Sequence, residues 1–138
     1  DVIPIDEEFS KEVGLMKADL DTLLASSDYV SLHVPLLDST KHMINAEKLG
    51  LMKKTAHVVN TSRGGVIDEE ALYNALKDGN LESAALDVFE VEPAIGNKLT
   101  NLPNFIATPH IGAQTKEAQS LAANVIAEKI IQVLRGVI

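Results

Sequence analysis

Arg63, Glu92 and His110 are the residues of this chain whose types could do proton and carboxylate chemistry together. A histidine exchanges a proton near neutral pH, and a glutamate can orient its imidazole and raise its pKa. A planar guanidinium holds a carboxylate through paired N–H donors. The three together would make a proton shuttle beside a carboxylate clamp, suited to a small anionic substrate. Separately each has a duller role: Glu92 ahead of Pro93 suits a turn, and His110 suits a residue capping a helix. Ser62 lacks the Gly-x-Ser-x-Gly elbow of a hydrolase, and the histidines lack metal-ligand spacing. His33 reads as packed beside Pro35, while His42 and His57 read as a loop and a strand residue without a role.

Those residues can meet only if the chain brings distant segments to one place. The stretch Asn60-Thr61-Ser62-Arg63-Gly64-Gly65 follows the apolar pair Val58-Val59 and precedes a helical pattern, the strand-to-helix turn where α/β proteins gather ligands. Asp87 to Glu92 and Thr108-Pro109-His110-Ile111-Gly112 follow two further apolar runs, and His33-Val34-Pro35 ends another. If the four runs are parallel strands, the four polar clusters lie on one edge of the sheet.

The elements that would do this are legible. Residues 1–12 read as a loop leading into a weak helix, and Gly14-Leu15-Met16 as a short strand. Asp19, Asn45 and Asp68 are N-cap residues for helices bearing Leu20, Leu23 and Leu24, then Leu49 and Met52, then Leu72, Ala75 and Leu76. Gly79 closes the third of these at the C′ position. Strands are expected over 29–34, 56–60, 84–89 and 105–108, the first stopped by Pro35. From about Thr115 to Arg135, Ala118, Leu121, Ala122, Val125, Ile126, Ile130, Val133 and Leu134 recur at helical spacing in one apolar stripe. Nearly apolar strands alternating with helices indicate an α/β fold: one domain with a parallel sheet of about four main strands and helices on both faces.

The bulk properties bound the partners. At 138 residues with 46% hydrophobic residues, the chain is long enough for one core. A net charge of -8 without a basic run argues against nucleic acid and anionic lipid. The absence of cysteine excludes disulfides and thiolate metal sites, and no apolar run approaches the length of a membrane span.

Three ordered blocks carry a resemblance. Asn60-Thr61-Ser62-Arg63-Gly64, Leu86-Asp87-Val88-Phe89 with Glu92-Pro93, and Thr108-Pro109-His110-Ile111-Gly112-Ala113 resemble the signature of the D-isomer-specific 2-hydroxyacid dehydrogenases. Ser31 to Pro35 with Ser39-Thr40, Leu51-Met52-Lys53 and Glu117-Ala118-Gln119 are most similar to the phosphoglycerate-oxidising branch of that family. The resemblance implies a cytoplasmic enzyme of serine biosynthesis that passes hydride between C2 of a small anionic 2-hydroxy acid and NAD. It makes Arg63 the carboxylate-binding arginine, His110 the acid/base and Glu92 its paired acid. It places Asp87 at the nicotinamide carboxamide, with Thr61, Ser62, Gly112 and Ala113 at the same end of the cofactor. His33, Val34, Pro35 and Thr40 would border the adenosine, and Asp1 would hold its ribose, favouring NAD over NADP.

The chain also departs from the pattern. It begins at Asp1 without Met, and the family's Gly-x-Gly-x-x-Gly, expected about 20 residues before that acid, is not in it. The expectation is therefore a fragment: the second half of an NAD-binding Rossmann domain, flavodoxin-like in outline, with the long helix that leads out of it. The glycine loop and substrate domain would be missing, NAD binding weak or absent, and turnover absent. With the first strands missing, the strand at 29–34 becomes an apolar edge, to be covered by residues 1–28 or paired with a second copy in a homodimer. A second reading of the same elements is a stand-alone half-Rossmann interaction module without catalysis.

Overall fold

The computed structural model describes residues 5–136, so Asp1, the expected ribose-binding acid, lies outside the described residues. Helices begin where short polar side chains can accept from otherwise unpartnered backbone N–H groups. Asp6 accepts from Phe9 N to start α1 (Glu7–Glu12), and Asp19 from Thr22 N to start α2 (Leu20–Ser26). Asn45 accepts from Lys48 N for α3 (Ala46–Leu51), and Asp68 from Ala71 N for α4 (Glu69–Lys77). Gly79 follows α4 at φ +67°, as a C′ glycine does. Thr115 opens the longest helix, α5 (Lys116–Leu134).

Between the helices lie β1 (Tyr29–Leu32), β2 (His57–Asn60), β3 (Ser83–Leu86) and β4 (Phe105–Ala107). All three ladders are parallel and the sheet order is β1-β2-β3-β4. Leu32 pairs with Asn60, Asn60 with Leu86, and Leu86 with Ala107, so the four strands end level. The loops that follow share one edge, as the sequence requires.

The core lies on one face of the sheet. Val30, Leu32, Val58, Ala84 and Leu86 join Leu24 of α2, Leu49 of α3, and Leu72 and Leu76 of α4 in one buried cluster. The alternate residues face the other way: Tyr29 is 75% exposed, Ile106 is exposed, and His57, Val59, Ser83 and Ala85 are half-buried. There Tyr29 stacks on His57 at 4.7 Å between ring centres, and His57 Nδ1 hydrogen-bonds Ser83 Oγ at 2.7 Å. Among the described residues the cover is therefore on one face, where helices on both were expected. As expected, β1 is an edge strand, and no described segment pairs with its outer side.

Three other expectations change. Gly14-Leu15-Met16 is not a strand: Gly14 N and Leu15 N turn back to Lys11 O and Ser10 O, closing α1, and the segment joins no ladder. The strands expected over 84–89 and 105–108 stop at Leu86 and Ala107; just beyond β4, the side chain of Asp87, the residue after β3, gathers Thr108, Ile111 and Gly112. The apolar stripe of α5 forms as a helix but buries nothing; none of its residues is buried.

Leu72 is fully buried, so Leu72→Ala will lower stability in urea unfolding by about 2–5 kcal/mol. Leu121, 64% exposed on α5, will tolerate alanine within about 0.5 kcal/mol. A loss at Leu121 as large as that at Leu72 would mean that the stripe is packed in solution.

Candidate active site

The turn after β2 is held by the side chain of its last residue. Asn60 is 1% exposed; its Oδ1 accepts from Ser62 N at 3.0 Å and Ser62 Oγ at 2.7 Å, and its Nδ2 donates to Arg63 O at 3.0 Å. Ser62 and the Arg63 carbonyl are thereby held, while the Arg63 side chain is exposed and donates from Nη1 to Ser62 O at 2.6 Å. It makes no ion pair among the described residues.

Gly64 brings this turn against the loop that follows β3. A Cβ on residue 64 would stand 1.8 Å from Phe89 O and 2.2 Å from Phe89 C, a distance no side chain can occupy. The contact places the Arg63 turn directly beside the segment leading to Glu92. On the outer flank the same two loops are tied again: Glu90 N donates to Glu69 Oε1 at 2.6 Å and Glu69 N to Glu90 Oε1 at 3.3 Å. His42 Nε2 donates to the same Glu90 oxygen at 3.1 Å, and Asn97 Nδ2 to Glu69 Oε2 at 2.6 Å.

Glu92 is fixed at both carboxylate oxygens. Oε1 accepts from Phe89 N at 3.0 Å, and Oε2 accepts from His110 Nδ1 at 2.8 Å. Its carboxyl is held below the usual range, first by the His110 hydrogen bond and then by the Phe89 amide. With Nδ1 donating to this carboxylate, Nε2 is the ring nitrogen left to exchange a proton. His110 is half-exposed and opens onto a cavity of about 570 Å³ lined by Asp87, Phe89, Glu92, Pro93, Ile95 and Thr108 among others.

Asp87 lies beneath the same turn, 4% exposed. Oδ1 accepts from Thr108 Oγ1 at 2.5 Å and Ile111 N at 2.8 Å, and Oδ2 from Gly112 N at 2.8 Å. Burial opposes its ionisation, but these three donors and the nearby His110 outweigh it and keep the carboxyl below its ordinary value.

The remaining candidates lie in the loops of the same edge. His33 is exposed, with Nε2 bonded to Ser31 Oγ at 2.7 Å, and Val34 packs against the core. Pro35 O accepts from Thr40 Oγ1 at 2.6 Å, and that hydroxyl also accepts from Leu37 N at 2.8 Å, so Thr40 closes the loop after β1. Thr61, Gly112 and Ala113 are exposed and Ser62 is half-buried. Asn60, Glu69, Glu90 and Asn97 had no separate role in the sequence reading. An Asn ending an apolar strand ahead of a turn is a signal that could have found the first; the other three meet across segments that sequence spacing does not relate.

A level parallel sheet with its polar loops on the carboxyl edge is the arrangement at which open α/β folds bind their ligands. The chain belongs to the D-isomer specific 2-hydroxyacid dehydrogenases: the model of that family's NAD binding domain matches residues 2–112. It is 50% identical over 133 residues to the D-3-phosphoglycerate dehydrogenase of Methanocaldococcus jannaschii, covering 96% of this chain and 25% of that protein. It is 54% identical over 119 residues to the hydroxypyruvate reductase of Thermotoga maritima, covering 84% of this chain and 39% of that one. The NAD-complexed D-isomer specific 2-hydroxyacid dehydrogenase of Lactobacillus delbrueckii ssp. bulgaricus superposes with a TM-score of 0.86 at 33% identity, over 99% of this chain and 45% of that one. The chain thus spans between a quarter and a half of the proteins it matches.

Gly64→Ala will cost about 3 kcal/mol or more, since the obstructing atoms are backbone and cannot swing aside; thermal or urea unfolding will measure it. Because the folded Asp87 carboxyl lies below its unfolded value near ~3.9, its stabilisation is full above that pH and is lost as pH falls through the folded value. Urea midpoints will therefore drop on acidification below about pH 4, and Asp87→Asn will flatten that slope. An unchanged slope in the variant would place the acid sensitivity elsewhere.

Proposed function

We propose that this chain is the catalytic edge of an NAD-dependent oxidoreductase that oxidises the hydroxyl of a D-2-hydroxy acid. The observation that carries the reading is the His110–Glu92 pair at 2.8 Å, set beside the Arg63 turn by the Gly64–Phe89 contact. Arg63 binds the substrate carboxylate through its guanidinium fork. His110, with Nδ1 engaged by Glu92, takes the hydroxyl proton at Nε2 and returns it in the reverse direction. Glu92 fixes the ring and offsets its positive charge once it is protonated.

The chain's own residues suit NAD at one end. Thr61, Ser62, Gly112 and Ala113 are small residues at the carboxyl edge, and Asp87 uses three of about four lone-pair positions, leaving room for one donor such as a carboxamide. His33, Val34, Pro35 and Thr40 border the adenosine end. The cofactor, when bound, supplies the hydride acceptor. No Gly-x-Gly-x-x-Gly occurs in these 138 residues, so the chain supplies no glycine loop for the pyrophosphate, and its own affinity for NAD is low.

The substrate we favour is D-3-phosphoglycerate, oxidised to 3-phosphohydroxypyruvate in the cytoplasm for serine biosynthesis. The likeness to the Methanocaldococcus protein and the Ser31–Pro35 and Glu117–Gln119 blocks support it; the likeness to a hydroxypyruvate reductase supports a smaller unphosphorylated acid. The chain alone is a partial domain, inactive, and pairs with a second copy through the outer side of β1.

In the longest polypeptide that carries this chain, His110→Gln will lower kcat by about 10²–10⁴-fold, while Arg63→Ala will chiefly raise KM for the acid. Absorbance of NADH over a panel of D-3-phosphoglycerate, glycerate, glyoxylate and lactate is the assay, and full turnover without His110 would end the reading. The purified 138-residue chain will scatter light as a dimer and give no saturable NAD titration. A monomer, or micromolar NAD affinity, would overturn the corresponding statement.

A further inference from the structure

Residues 108–112 wrap around a single buried side chain. Thr108 N still bonds to Leu86 O in the ladder at 3.0 Å, and its hydroxyl turns inward to Asp87 Oδ1. Two residues beyond His110 in the chain, Gly112 N reaches the other oxygen of the same carboxylate, and Ile111 N shares the first. The chain must therefore reverse between Thr108 and Ile111. It does so at His110, whose φ of +55° lies in the left-handed region that residues with a Cβ seldom adopt. Gly112 permits the closeness, since a Cβ there would stand 3.0 Å from Asp87 Oδ2.

The consequence is geometric. Glu92 fixes which ring nitrogen of His110 carries the proton, but it can do so only if the backbone delivers the imidazole to it. The left-handed conformation is unfavourable in isolation and persists where the surroundings over-determine it. Here three donors on both sides of His110 converge on one anion, and bonds from N–H or O–H to a charged, buried acceptor are the strong ones. A neutral side chain of the same shape would accept at one atom and present an amide NH2 donor at the other, so one of the two groups of donors would lose its partner.

We propose that Asp87 is the positioning residue for His110: by gathering the Thr108 hydroxyl and the Ile111 and Gly112 amides onto one carboxylate, it sets the turn that delivers the imidazole to Glu92. This role is additional to any contact of Asp87 with the cofactor, and it rests on the reading of His110 as the acid/base. It requires neither bound NAD nor turnover.

The test is NMR of the 138-residue chain labelled at histidine nitrogen and backbone amide. In the native chain the neutral ring of His110 will be one tautomer, protonated at Nδ1, and the Ile111 and Gly112 amides will exchange slowly. Asp87→Asn will mix the tautomers of His110 and speed exchange at both amides by about tenfold or more. Glu92→Gln will alter the tautomer without speeding those amides, which separates loss of the ring's partner from loss of the turn. Thr108→Val, which removes one donor and leaves the carboxylate, will give an intermediate change, and it decides the matter if Asp87→Asn does not fold. A folded Asp87→Asn with the native tautomer and native exchange overturns the proposal, as does an unfolded Asp87→Asn together with an unaltered Thr108→Val. Should His110→Gln retain turnover in the longer polypeptide while these NMR changes occur, the functional reading falls and the positioning of the ring stands.

Discussion

The backbones of Gly64 and Phe89 approach so closely that no side chain fits between them, and the rest of the edge is arranged around that contact. It joins the loops of two adjacent strands, so the Arg63 turn and the Glu92 segment behave as one surface. Level strand ends bring the loops to the same height, but height alone leaves each loop free to tilt. The close approach removes that freedom for the first pair of loops, and the Asp87 carboxylate removes it for the second by binding the turn after β4. Arginine, glutamate and histidine come from three loops; the first two are tied by backbone contact and the third is tied to the second by the buried Asp87 carboxylate.

Much of this was legible because it follows from local rules. Asp19, Asn45 and Asp68 cap the helices that their positions announce, since a short polar side chain before an apolar-periodic run satisfies N–H groups left without helical partners. The strands ended near their polar clusters, and the parallel sheet carried those clusters to one edge. Gly14-Leu15-Met16 failed because three residues contain no information about whether a ladder partner exists; here they close a helix instead. The length of β4 failed for a tertiary reason, the capture of the chain beyond it by one buried acid on the neighbouring strand's loop.

Asp87 shows the limit of reading a site from sequence. In a row of residues it is one acid among several, with as much claim to the surface as Glu90. Its burial, its three donors and its depressed carboxyl appear only when β3 and β4 are side by side. Glu90 and Glu69 make the complementary case: each is ordinary in its own segment, and their exchange of backbone and side-chain bonds exists only across the cleft. The amphipathic pattern of α5 was equally visible in sequence, yet a stripe says that a helix has a face to bury and not what buries it. Among the described residues nothing does, and the exposed face of the sheet likewise carries Tyr29 and Ile106 without a covering layer.

The chemistry proposed for this edge would also account for why proteins so similar to this chain bear different names. In the function proposed above, Arg63, Glu92 and His110 would address a carboxylate and a hydroxyl, the groups that every 2-hydroxy acid shares. To distinguish one such acid from another, a protein must touch the substituent on the adjacent carbon, and a phosphate there would call for additional cations. Arg63 is one of two arginines in the chain, the other being Arg135 just beyond the end of α5, and the chain as a whole is strongly acidic. An edge built this way can be kept while specificity is changed by contacts outside it. On that proposal, relatives named for phosphoglycerate and for hydroxypyruvate can match it at 50% and 54% identity, because the matched segment would carry what their reactions have in common.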